Sequence, residues 1–173
     1  LSAQSGNTGG MTWAEAGGGA TELLSTATVS SGVTYVTFSL PSGYNYFEIF
    51  GEDIQFSADS IIRAQLEAGS SYQTGSGDYM KSTNDSSDHI QLSYNAINQN
   101  GVFRVTMFGA KNTGTHTVVF GQSIPGVSSS AYTFTSNQRT GGIYLANTVT
   151  TGIRMYADSE TFVSGIFRLY GRV

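Results

Sequence analysis

Few residues in this chain could do chemistry, and their spacing decides more than their identity. Two histidines are present, His89 and His116, each in or beside a β-type run. Either could serve a Ser-His-Asp triad by type. A nucleophile elbow, however, needs Gly-x-Ser-x-Gly, and the nearest approach, GQSIPG from Gly121 to Gly126, has the wrong spacing. We therefore read both histidines as solvent-facing or capped strand residues. Glycoside hydrolysis asks for two carboxylates facing each other across the scissile bond. Glu48, Glu52, Asp53, Glu67, Asp158 and Glu160 qualify by type alone. Their places in strands and turns point outward, where Arg63, Arg104, Arg154 and Arg168 are expected to meet them across strands. The expectation is a chain with no catalytic residues, which is not an enzyme.

Binding residues are a different matter. From Gly69 to Asp88 the chain is rich in Gly, Ser, Asp and Tyr and reads as a long loop, the kind of segment in which a rigid scaffold presents its contacts. Tyr72 and Tyr79 offer flat faces and hydroxyls suited to a sugar ring, and Asp85 and Asp88 offer acceptors beside them. These four are the candidate receptor or glycan contacts. Asp78, Asp85 and Asp88 together invite comparison with a calcium site, but calcium takes about six to eight oxygens and the spacing lacks the EF-hand pattern. They are read as solvated turn residues, and no metal is assigned. Thr74-Gly75-Ser76-Gly77 is not followed by Lys and a helix, so it is no phosphate loop and no cofactor is implied.

The elements that must position these residues are strands. Charged residues make up only 12% of the 173 residues, while 39% are apolar and 12% aromatic, enough for a core and unlike a disordered chain. Ile62, Ala64 and Leu66 alternate with Arg63, Gln65 and Glu67, and Phe103, Val105 and Met107 alternate with Arg104 and Thr106. Each pattern predicts one face in a core and one in water. Further strands are expected at Leu23 to Ser30, Thr34 to Leu40, Tyr46 to Gln55, Thr115 to Gln122, Ala131 to Thr135, Gly142 to Asn147, Gly152 to Tyr156 and Gly165 to Gly171. Asn100-Gly101 suits a type I′ turn, which predicts a hairpin between His89–Asn98 and Val102–Ala110. A second long loop is expected from Ile124 to Ser130. The count implies an all-β, antiparallel two-sheet sandwich of jelly-roll type over residues 21–173, preceded by an extended, Gly-rich arm over 1–20.

Charge and composition exclude several partners. A net charge of -4 with scattered Lys and Arg offers no basic stripe for nucleic acid. The absence of cysteine removes disulfides, thiolate metal ligands and thiol catalysis. No run approaches the roughly 18 apolar residues of a membrane span, and no signal peptide is legible at the N-terminus. No membrane insertion is expected. Because the chain begins at Leu1 instead of Met, we expect it to be a piece of something longer.

The two ends carry a resemblance. Leu1, Gln4, Ser5, Gly6, Asn7, Gly9 and Trp13 fit a pattern of the form apolar-x-x-Gln-(Ser/Thr)-Gly-Asn-x-Gly closed by Trp, and Leu169-Tyr170-Gly171 closes the last strand. With LLSTATVSSGVTYVTFSLPSGYNYFEIFGEDI and the Gly-Ser-Asp/Tyr-rich loop between them, the chain resembles the terminal domains of tailed-bacteriophage tail fibres and related virion proteins along nearly its whole length. The resemblance implies a virion location, a non-enzymatic structural role in host attachment, a homotrimer, and contacts with other virion proteins and with a host surface glycan. A capsid decoration or head-fibre protein is the alternative. A carbohydrate-binding module or glycan-degrading domain is a further alternative of another class. Met11 and Trp13, large apolar residues on a glycine-rich arm, are the expected assembly contacts.

Overall fold

Alternating apolar and polar residues build strands with one dry face, and that face needs a second layer to cover it. The computed structural model describes residues 2–4, 12–14, 21–81, 85–93, 101–124 and 138–173. Ser2–Gln4 (β1) and Thr12–Ala14 (β2) pair antiparallel, with Ala3 opposite Trp13, so the expected extended arm contains a small ribbon. The strands that follow are Glu22–Val29 (β3), Tyr35–Ser39 (β4), Tyr46–Phe56 (β5), Ile62–Ala68 (β6), Ser71–Tyr72 (β7), Tyr79–Lys81 (β8), Ser86–Ser87 (β9), Ile90–Gln91 (β10), Gly101–Phe108 (β11), Thr117–Ile124 (β12), Gln138–Tyr144 (β13), Thr150–Ala157 (β14) and Phe162–Arg172 (β15).

These strands form two antiparallel sheets. The larger runs β3-β15-β5-β11-β12-β13-β8-β9; the smaller runs β10-β6-β14-β4, with β7 beside β6. Taking β3-β15-β5-β11 against β4-β14-β6-β10, successive strands cross from one layer to the other except β6 and β10, which pair within the smaller sheet, as in a jelly roll. The β12-β13 hairpin and the short β8 and β9 then widen the larger sheet. The fold is thus the all-β sandwich that the alternation implies.

The inward faces meet in one core. Phe103, Val105 and Met107 are buried as expected, together with Ile62, Ala64 and Leu66 of the opposite sheet, Phe47 and Ile49 of β5, and Phe167 and Leu169 of β15. In β5 the inward phase changes from odd to even positions, Phe47 and Ile49 giving way to Ile54 and Phe56. A bulge produces the change: Asp53 takes a positive φ of 52°, and the register to both neighbouring strands slips there. Gly51, just before the bulge, faces inward, and a Cβ there would lie 2.1 Å from the Phe103 ring.

Three expectations are corrected. The described residues do not form the hairpin expected between His89–Asn98 and Val102–Ala110: β10 pairs with β6 in the smaller sheet, β11 has β5 on one edge and β12 on the other, and residues 94–98 with Asn100 lie outside the described residues. With its edges occupied by β5 and β12, β11 has no room for the segment that precedes it in the chain. The Gly69–Asp88 stretch is not a plain loop, because it holds β7, β8 and β9. Gln65, expected in water, is buried at 5% exposure beneath outward-facing neighbours. The strand expected at Ala131–Thr135 and most of the loop expected at Ile124–Ser130 lie outside the described residues.

Candidate functional site

Antiparallel register places directly opposed residues on the same face, so the pairings decide which side chains meet on each outer surface. On the smaller sheet Tyr35, Tyr156, Arg63 and Gln91 form one row, and Thr37, Arg154 and Gln65 form the next. Arg154 lies at the centre. Its guanidinium carbon is 4.7 Å from the Tyr35 ring centroid and 4.4 Å from that of Tyr72, so two tyrosines hold it by cation–π contact. Its Nε and Nη2 donate to Gln65 Oε1 at 2.9 and 2.7 Å, and Gln65 Nε2 in turn donates to the backbone oxygen of Asp88 at 2.8 Å. Tyr35 also packs on Tyr156, ring centroids 5.8 Å apart. Burial, with the nearby Asp88 charge added to it, pushes the Tyr156 hydroxyl up to about 12.

Beside this cluster stands a histidine–carboxylate pair. His89 is buried, with Nδ1 2.5 Å from Asp88 Oδ1 and 3.3 Å from Ser87 Oγ. Its Nε2 is buried with no hydrogen-bond partner among the described residues. Burial holds the imidazole below its ordinary pKa, opposed by the Asp88 hydrogen bond, and the same bond holds the Asp88 carboxyl below the usual carboxylate range. The pair is therefore a neutral imidazole beside a carboxylate near neutral pH. No nucleophile in the described residues stands where a triad would need one.

Of the four candidate contacts read from the sequence, the structure brings Tyr72 and Asp88 to this face, joined through Arg154 and Gln65. Asp85 is exposed, and its carbonyl accepts from Lys81 N–H at 3.0 Å in the β8–β9 turn. Tyr79 must be corrected: it is fully buried, donates its hydroxyl proton to the Gln73 carbonyl at 3.1 Å and accepts the Leu66 N–H at 2.7 Å. It is a core ring that ties the inserted strands to β6, out of reach of any receptor. The same burial raises its pKa. Asp78 turns back onto the Gly75 N–H, and among the described residues no three His, Asp or Glu side chains gather to hold a metal. Met11 lies outside the described residues, and of Trp13 only the backbone pairing is described.

The larger sheet presents an outer face of another kind. Tyr46, Phe108, Val118, Ile143 and Met80 make one row across five strands, and Tyr170, Glu48, Thr106, Phe120 and Gly141 make the next. Phe108 and Phe120 are 45% and 52% exposed, and edge-on ring contacts join Tyr46 to Phe108 and Phe108 to Phe120. A groove of about 680 Å³ runs between Phe120, Val118, Ile143 and Met80, with Arg104 and Gln122 on its margin. Glu48 is buried within this face, accepting from Arg104 and from the Tyr46 hydroxyl. Arg104 also lies over the Phe50 ring, and the Glu48 hydrogen bond raises its pKa.

The expected cross-strand ion pairs form for three of the four arginines: Arg63 with Asp158, Arg104 with Glu48, and Arg168 with Glu52. Arg154 is the exception, and neither it nor Tyr35, Tyr156 and Gln65 stood among the candidates. Alternation along β4, β6 and β14 already turns all four the same way relative to their own strands. What it leaves open is which strands are neighbours. Comparison with protein-family models, with characterised proteins and with solved structures returned no match.

Proposed function

We propose that the chain is a non-enzymatic structural component of a tailed-phage virion: a β-sandwich domain of a tail fibre that attaches to the host surface. The resemblance of the two ends supplies the virion assignment. The observation that supports a role in adhesion and assembly is the outer face of the larger sheet, where exposed Phe108 and Phe120 sit in continuous rows with Tyr46, Val118, Ile143 and Met80. An apolar surface of this extent on a sheet suits burial against further copies of the same chain. Copies packed through that face, as a homotrimer, leave the tyrosine–arginine face of the smaller sheet turned outward toward a host glycan. In a decoration or head-fibre protein, the second reading, the same aromatic face would grip the shell.

Imaging of assembled particles with the chain labelled, together with adsorption measured on particles that lack this domain, tests the proposal. Density at the fibre tip and a loss of adsorption are expected. A location on the capsid shell with adsorption intact would favour the decoration role instead. Release of reducing ends from host polysaccharide by the purified chain would end the non-enzymatic reading.

A further inference from the structure

Arg63, Arg104 and Arg168 each meet a carboxylate, whereas Arg154 meets none among the described residues. Its positive charge is held by two ring faces and the neutral carbonyl of Gln65. Both Gln65 contacts use the Nε side of the guanidinium, so the terminal edge keeps both protons of Nη1 and one of Nη2 for another acceptor. A guanidinium held by two aromatic rings and along one edge has already given up much of its rotamer freedom. Its remaining edge matches the paired oxygens of a carboxylate, which an arginine takes bidentately.

We propose that the Arg154 fork seats the carboxylate of an acidic saccharide, a uronate or related sugar acid, whose ring lies against Tyr35. Three observations select this ligand. Charge complementarity comes first: a cation with no carboxylate partner among the described residues, in a cluster whose other arginine, Arg63, is already matched by Asp158. Next, Tyr35 is 46% exposed beside the fork, and an aromatic face packs against the C–H face of a pyranose. Finally, β14 is an inner strand with β4 and β6 on its two edges, so its main chain has no free donors or acceptors for a peptide to pair with. Everything the face offers comes from side chains: a planar guanidinium, an amide and phenol rings. Glu67, opposite Tyr72 in the ladder, is a carboxylate close to the seat that would repel an anionic guest. The inference rests on the attachment reading only in taking the source of the sugar to be a host glycan.

Calorimetric titration of the full chain with a glucuronate-containing disaccharide, its methyl ester, sodium acetate and a peptide with a free C-terminal carboxylate tests it. The acid should bind, with ester, acetate and peptide each roughly tenfold weaker or more, since each lacks either the charge or the ring. Arg154→Lys keeps the charge but loses the fork, and should weaken the acid by a similar factor while lowering the melting temperature by no more than a few degrees. Tyr35→Ala, on an exposed ring of an edge strand, should also weaken it without unfolding the chain, and Glu67→Gln should tighten it. Equal binding of acid and ester, an unaffected Arg154→Lys variant, or no binding of the acid at millimolar concentration would overturn the carboxylate seat. Peptide binding as tight as that of the disaccharide would overturn the choice of a saccharide. If the purified chain binds the acid through Arg154 while particles carrying Arg154→Lys adsorb normally, the seat stands and the attachment reading falls.

Discussion

Arg104 and Arg154 occupy similar places, each on the outer face of an inner strand, and they are satisfied in opposite ways. On the larger sheet Arg104 covers a buried carboxylate, Glu48, so charge is matched within the face and what remains for a partner is apolar. On the smaller sheet Arg154 is matched, among the described residues, by rings and an amide and by no carboxylate, so charge remains available. One outer surface is therefore finished electrostatically and unfinished hydrophobically, and the other is the reverse. The difference teaches that a sandwich with two exposed faces can assign them to different kinds of partner while sharing one core.

That comparison can be broken at several levels. The largest effect lies beneath the aromatic face. Val105→Asp places an unpaired charge in the core and should cost on the order of 4 kcal/mol in urea or thermal unfolding, while Val102→Asp, on the exposed outer side of the same strand, should change stability far less. Equal effects would mean that the inner and outer sides of β11 are misassigned. Next, Arg104→Ala leaves Glu48 buried with the Tyr46 hydroxyl as its remaining side-chain donor, and should cost about 2 kcal/mol, less than a fully buried pair because Arg104 is half in water. Arg154→Ala strands no charge and should cost about 1 kcal/mol. A reversed order would undo the distinction between a structural and an available arginine. Phe108→Ser with Phe120→Ser should cost about 1 kcal/mol or less per site and convert self-associated chains to monomers in light scattering, and unchanged assembly would remove the aromatic face from the interface.

A pH experiment sharpens the other face. His89 has a folded pKa below its ordinary value of 6.5, so as pH falls beneath that value the unfolded chain takes up a proton that the native chain refuses. Stability should decline from there until the lowered native pKa is passed. The Asp88 carboxyl, also lowered from its ordinary 3.8, adds a second loss at more acid pH as it is protonated. His89→Gln should flatten the first decline in melting temperature, and an unaltered profile would show that the imidazole is not its source. Smallest of all, Glu52→Ala opens an exposed pair with Arg168 and should leave the melting temperature almost unchanged.

How much of this was legible depends on whether a feature is local. Alternation in Phe103-Arg104-Val105-Thr106-Met107 identifies the strand and its dry side without further information, and the class of fold follows from repeating that inference along the chain. The Asn100-Gly101 turn signal misleads because the partners of β11 are chosen by the whole sandwich, with β5 arriving from about fifty residues upstream. Tyr79 was hidden by its company: Gly, Ser and Asp around it look like a loop, yet the ring fills the space where the inserted strands cross the core. Arg154 was visible as an outward residue and expected to find a carboxylate. Only the neighbour relations β4-β14-β6, which no spacing in the sequence encodes, show that it faces Gln65 and two tyrosines instead.

The place of β15 governs the order in which the molecule can be made. It is the last strand in chain order, yet it is inserted between β3 and β5, both from the first third of the chain. Until it arrives, those two early strands each show a bare edge, the Phe103 ring lacks Phe167 to close against, and the Phe56 ring lacks Phe162. During synthesis the larger sheet therefore has to wait with its centre open, its strand edges exposed to pairing, until β15 emerges. If copies assemble as proposed, that delay would place folding and association in direct competition for the same strand edges.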